Sequence, residues 1–387
     1  MKQKSKDNIN NVMKFIDENQ EKYVDFLSKI CSYEARAYDK ETIDKMVDYI
    51  ASFAQNEGLI VTRKPMEKCG DFLTIEINPG KEKACVFQAH MDTVHEKGVF
   101  GTPAVRMEGN RLFGPGVIDC KGGIAIAILT LKALADIGYE KHVRLMLTSD
   151  EEISNLLGGE EELSFIKESA IGFPFAINCE TAERDEVVIA RKAILKYRLD
   201  IKGIGGHSGK RYFTSKNAIL EASHKIIALH ERSVEGGTTY SCNIIQGGKV
   251  FNIIPDACSV TVDIRAVTYN DMKEAMATVS EIAEKSFIGG TSCETTLLGT
   301  RPPMEKREET VALFNNLCAI CAKYDLGTLT PMESGGGSDS CYTQLAGVTS
   351  ICGMGASGGF QHTPKEFLNI ESIPLRAKIL ACFLLDS

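Results

Sequence analysis

No uninterrupted apolar run in the 387 residues reaches the roughly 18 needed to cross a bilayer. The opening stretch, MKQKSKDNINNVMKFIDENQ, carries charge but no apolar signal core. Neither a membrane span nor a secretory leader is expected, and the chain is read as cytoplasmic. Basic runs are missing too. With 44 lysines and arginines against 52 aspartates and glutamates, a net charge of −8 argues against nucleic acid or an anionic membrane as partner. Small molecules or short peptides remain. Thirteen cysteines with scattered spacing make no disulfide framework and read as reduced thiols. The one close pair, Cys318 and Cys321, falls in an amphipathic helical pattern with no second pair near it, so core packing is its expected role. Internal repeats and low-complexity linkers are absent.

What is present is an ordinary globular composition, 43% hydrophobic and 25% charged. The length exceeds a single ordinary core, so two domains are expected. Residues 1–190 alternate helical patterns with short apolar runs (FLTIEI, KACVFQ, HVRLMLTS), the pattern of an α/β sheet covered by helices. From Lys192 the pattern changes. In KAILKYRLDIKG, Leu195, Tyr197, Leu199 and Ile201 face one way and Lys196, Arg198, Asp200 and Lys202 the other, a half-exposed strand. The order that follows, βαββαβ, suggests a ferredoxin-like unit. The expected architecture is an α/β domain (1–191 and 303–387) interrupted by an α+β insert (192–302).

Functional groups in open α/β sheets gather beyond the carboxyl ends of strands. CVFQAH delivers His90, with Asp92 two residues on; LFGPGVID delivers Asp119; RLMLTSDEE delivers Glu151 and Glu152; FPFAINCE delivers Glu180; and GGFQHTP adds His362 near the C-terminus. Singly, such a histidine is usually structural, and such a carboxylate usually caps a helix or is solvated. Together they point to a metal site. Carboxylates and imidazoles without clustered cysteines suit zinc or its neighbours, with a position left open for water. Three ligating carboxylates and a hydroxide carry four negative charges, which two divalent ions neutralise and one does not. A pair of ions roughly 3.5 to 4 Å apart needs a bridge, for which a carboxylate is suited.

The segments HMDT (90–93), GPGVIDCKGG (114–123), DEE (150–152), NCE (178–180), GGHSG (205–209) and QHTP (361–364) resemble, in order and spacing, the co-catalytic zinc exopeptidases and deacylases. That family includes peptidase T, glutamate carboxypeptidase, aminoacylase and succinyl-diaminopimelate desuccinylase. The resemblance implies a zinc-exopeptidase-like α/β catalytic domain with a mixed sheet, and an insert acting as lid and dimerisation domain. It implies two zinc ions per subunit, with cobalt or manganese tolerated. Asp119 would bridge them, His90 and Glu180 completing one site, Glu152 and His362 the other. Asp92 would orient the ring of His90, and Glu151 would be the general base. His207 would reach the reacting carbonyl, often from the other subunit of a homodimer. GGHSG and its flanks match neither a Walker motif nor a dinucleotide fingerprint. Asn252, Arg265 and Arg301 match positions that contact substrate, and the backbone at Gly335, Gly336 and Gly337 would allow its close approach.

Cys120 departs from the residue types usual after the bridging aspartate, and by family analogy the Asp119–Cys120 peptide is expected to be cis. His95, His142, His224 and His230 lack motif context and are read as ordinary. The expected activity is hydrolysis of an amide bond in a short peptide, with an N-acyl-amino-acid deacylase as the alternative. Two rivals of other classes are an inactive metal-binding protein on the same fold and a thiol enzyme built on Cys120 or Cys179. A membrane or nucleic-acid partner is not expected.

Overall fold

The computed structural model describes residues 2–181, 183 and 185–386. It divides into two compact units. The first comprises the chain up to Ala190 with Lys306–Glu333 and the chain from Ser338 onward. Its apolar runs form a six-stranded sheet, in the order Ile60–Lys64, Phe72–Ile77, His142–Thr148, Lys83–His90, Phe175–Asn178 and Thr349–Ile351. The first two pairings are antiparallel and the other three parallel, so the sheet is mixed.

Both faces of the inner strands are buried, whereas the edge strand Ile60–Lys64 is largely exposed. Leu73, Ile75, Phe87, Val143, Leu145 and Leu147 join one core with residues from helices Lys2–Cys31, Lys40–Asn56, Gly122–Asp136, Glu308–Tyr324 and Ser372–Asp386. Phe72, Val86 and Met146, out of phase with them, are equally buried. There Phe72 meets Phe165 of helix Gly159–Ala170, ring centroids 5.1 Å apart. Strands covered on both sides lose polar alternation, which is why they read as continuous apolar runs. Cys318 and Cys321 lie on helix Glu308–Tyr324, with Cys321 buried in the same core.

One expected element takes another form. LFGPGVID is not a strand ending on Asp119: strand Arg111–Phe113 stops at Gly114, and Asp119 lies in the helical turn Val117–Lys121. Gly114, Pro115 and Gly116 break the ladder, and Gly116 adopts a left-handed φ of 70°. The Asp119–Cys120 peptide is cis. Strand Arg111–Phe113 belongs to a second, four-stranded sheet with Arg106–Glu108, Phe367–Asn369 and Gly358–Gly359.

The second unit comprises Arg191–Glu305 with Ser334–Gly337. Its four strands run Thr239–Gly247, Ala257–Ala266, Ala193–Lys202, Ser292–Arg301 across the sheet, every neighbour antiparallel. This is the ferredoxin-like order. Leu195, Tyr197, Leu199 and Ile201 are buried and pack with helices Ala218–His230 and Tyr269–Glu284. A short ribbon, Gly206–His207 with Ile253–Ile254, stands apart from the main sheet.

Candidate metal centre

In the first unit five expected ligands converge, with Asp119 at their centre. His90 ends strand Lys83–His90 and is 2% exposed. Its Nε2 lies 3.3 Å from Asp119 Oδ1 and 3.6 Å from Glu180 Oε1. On the other side, His362 Nε2 lies 3.1 Å from Asp119 Oδ2 and 3.3 Å from Glu152 Oε2. The two oxygens of one carboxylate thus serve two half-sites, each with one histidine and one glutamate. Glu180 follows strand Phe175–Asn178 and is steadied by its N–H donating to Asn178 Oδ1 at 3.0 Å.

Glu151 and Glu152 open a short helical turn after strand His142–Thr148. Asp92, fully buried, accepts from the N–H of Glu152 at 3.0 Å and of Glu151 at 3.4 Å. Its Oδ1 is 3.2 Å from His90 Nδ1, off the line of a hydrogen bond. Asp92 therefore ties the segment of His90 to the turn of the two glutamates. Asp150 is also buried, and its Oδ2 accepts from the N–H of Leu157 and Gly158, both at 2.7 Å. It closes the turn.

The cluster is short of positive charge. Contacts with Asp119 and Glu152 push His362 up to about 11. Burial opposes a charged His90, but Cys120, Glu180, Asp119 and Asp92 outweigh it and hold the imidazole well above its ordinary range. Burial, with the charge of Asp119, pushes Glu152 up to about 8; burial likewise pushes Glu180 up to about 7. Burial of Asp119 is outweighed by its contacts with His362 and His90, and its pKa falls. Glu152 Oε1 is buried without a hydrogen-bond partner. A compact set of three carboxylates and two imidazoles, with a bare acceptor among them, fits divalent cations of the zinc type.

Cys120 is buried, and its Sγ accepts from the N–H of His90 at 3.1 Å. Burial pushes this thiol, and that of Cys179, well above the ordinary range. Both stay protonated, unlike a nucleophilic cysteine.

The remaining candidates lie in the second unit, at its two ends. His207 is exposed, pairs with Ile253 and accepts from Gly209 N–H at Nδ1, 3.2 Å away. The carbonyl of Asn252 accepts from Ser208 N–H at 3.0 Å, joining the loop of His207 to that of Asn252. Arg265 and Arg301 flank Ile194 from either side in the sheet. Arg265 holds Asp263 through Nε (2.7 Å) and Nη2 (3.1 Å) and donates to the Gly335 carbonyl at 3.0 Å. Arg191, which carries no sequence signal, donates to the carbonyls of Gly336 and Gly337, both at 3.3 Å. A Cβ on Gly337 would come within 2.8 Å of Arg301 Cδ, so this glycine makes room for an arginine. Glu366 has no motif to mark it and His95 reads as ordinary, yet both stand beside the Asp119 loop, where their partners are its backbone and each other.

The peptidase family M20/M25/M40 model matches residues 86–386. Carboxypeptidase G2 of Pseudomonas sp. (strain RS-16) is 27% identical over 369 residues, covering 93% of this chain and 88% of its own. Succinyl-diaminopimelate desuccinylase of Rickettsia akari (strain Hartford) is 24% identical over 292 residues, covering 68% and 72%. Among solved structures, aminopeptidase PepT from Bacillus cereus ATCC 10987 superposes with a TM-score of 0.78 at 18% identity, covering 95% of this chain and 98% of that one. A family match over most of the chain, joined to a two-histidine, three-carboxylate cluster, makes this a metallohydrolase that belongs to the peptidase family M20/M25/M40.

Proposed function

We propose that the protein is a dinuclear zinc exopeptidase acting on short peptides that carry a free carboxylate. The observation that carries this reading is the division of Asp119 between the two half-sites. His90 and Glu180 would hold one ion, Glu152 and His362 the other, and Asp119 both; cobalt or manganese would be tolerated in place of zinc. Two such cations, when bound, supply a water of lowered pKa, near ~7, and polarise the scissile carbonyl. Glu151 takes the proton of the attacking water and returns it to the leaving amine, a role worth typically ~10² to 10⁴-fold. Its charge bears on both Glu152 and Glu180, which supports a place between the half-sites. Asp92 orients His90 and the 151–152 turn together.

Arg301, Arg265 and the backbone of Gly335, Gly336 and Gly337 would receive the substrate carboxylate, arginine being suited to bidentate capture. Arg265 also carries Asp263, which would hold its guanidinium in place for that role. His207 and Asn252 would act at the scissile carbonyl, contributed by the second copy of a homodimer formed through the insert. A cytoplasmic setting belongs to the same reading; no helix among the described residues is long and apolar enough to cross a membrane. The buried, protonated thiols of Cys120 and Cys179 speak against a thiol enzyme.

A hydrolysis panel of short peptides and N-acyl amino acids, run on chelated protein with and without added zinc, tests the reading. Zinc-dependent release of amino acids from peptides is expected. Turnover of N-acyl amino acids alone would move the assignment to the deacylase alternative, and silence across the panel with zinc restored would sink both.

A further inference from the structure

We infer that Glu366, together with His95, is a positioning residue that fixes the carboxylate of Asp119 relative to the two histidines. The inference rests on the metal-centre reading above. The loop carrying Asp119 is irregular: Gly116 is left-handed, and Asp119 (φ −116°, ψ 91°) and Cys120 (φ −125°, ψ 34°) leave helical geometry inside the turn. Such a loop needs external partners for its buried N–H groups. One carboxylate supplies them. Glu366 Oε1 accepts from Ile118 N–H at 2.9 Å and Asp119 N–H at 3.3 Å, and Oε2 from Gly116 N–H at 3.2 Å. Oε2 also accepts from His95 Nε2–H at 2.7 Å. Glu366 is 1% exposed and His95 6%.

A carboxylate buried this deeply is costly unless its acceptors are filled, and a loop bound through three N–H groups cannot rotate without emptying them. The connections reach both half-sites. Glu366 is four residues beyond His362, across a turn closed by Thr363 N–H to Phe360 O (3.1 Å) and Glu366 N–H to Thr363 O (3.0 Å). His95 sits on the segment that leaves His90 and Asp92, itself anchored by Thr93 N–H to Ala35 O at 3.1 Å. Glu366 therefore joins the segments of His90, Asp119 and His362 through one side chain. Its contact to the reacting groups is indirect, through the backbone of Asp119.

The test loads the 387-residue chain with cobalt(II) and compares wild type with Glu366→Gln and His95→Ala. Gln keeps the volume and one acceptor oxygen but places an amide either where Gly116 N–H and His95 donate or where Ile118 and Asp119 do. We expect a lowered metal-free thermal midpoint, because two buried donors lose their acceptor, and with it a cobalt affinity lowered ~10 to 100-fold in chelator competition and an altered visible cobalt spectrum. With zinc, kcat should fall more than KM rises. His95→Ala should shift the same readouts in the same direction by less. A merely structural role would lower the midpoint and leave the spectrum of the loaded protein unchanged. Wild-type affinity and spectrum in both variants would overturn the inference while leaving the metal centre intact; a wild-type protein that takes up no cobalt would overturn both.

Discussion

Two neighbouring carboxyl groups, Glu151 and Glu152, have separate assignments, and replacing the first tests the division. Glu151→Ala should reduce kcat by at least ~10²-fold while metal content, measured on the dialysed protein, stays at the wild-type level. Loss of metal in that variant would mean that Glu151 ligates. A second test concerns Glu162, buried with neither carboxylate oxygen in a well-formed hydrogen bond. Burial, then the charges of Asp339, Asp150 and Asp92, hold it well above the usual carboxylate range, and burial raises Asp150 to about 6. Below the unfolded value, ~4.3, Glu162 is neutral in both states; above it the unfolded chain ionises while the folded one resists, so stability falls as pH rises. Glu162→Gln removes that penalty. Its thermal midpoint relative to wild type should climb from pH 5 to pH 9 and show no gain at pH 4; a uniform loss at all pH values would refute the neutral assignment.

At the scale of elements, the helix Gly122–Asp136 presses its first turn against the end of strand Phe175–Asn178. A Cβ on Gly123 would lie 2.0 Å from the Cys179 carbonyl oxygen, and one on Gly355 only 2.1 Å from the same atom. Two glycines thus seat the residue that precedes Glu180. Helix propensity alone would favour Gly123→Ala by ~1 kcal/mol. Overpacking against a backbone atom costs about 1 to 3 kcal/mol and should win. The variant is expected to melt lower and bind zinc more weakly as Glu180 shifts; a higher midpoint would show that the helix can retreat. Such contacts mark the limit of what a single sequence discloses. His90, Glu152 and Glu180 are legible because apolar runs end just before them, and the insert because its strand alternates strictly. Asp119, expected at a strand end, lies in a turn, since Gly114–Pro115–Gly116 stops the ladder. Glu366 has no periodicity to reveal it; it answers N–H groups about 250 residues upstream, brought close by the pairing of Phe367–Asn369 with Arg111–Phe113.

For the whole molecule, the question is how many chains make one working site. Within the second unit, His207 and Asn252 flank the end of the sheet where Ala257 pairs with Lys202, whereas Arg265 and Arg301 stand where Ile194 runs between them. Strand Ala257–Ala266 separates the two groups by roughly 25 Å at ~3.3 Å per residue. A dipeptide is far shorter than that, so one copy of this unit cannot offer both groups to the same short substrate. If both act, two chains must contribute. Mixing Glu151→Ala and His207→Ala subunits under conditions of exchange distinguishes the cases. In a homodimer with His207 acting across the interface, half the dimers are mixed and one site in each has both Glu151 and a partner histidine, giving about a quarter of wild-type activity. If His207 served its own chain, every site would lack one group, and the mixture would stay as inactive as either parent.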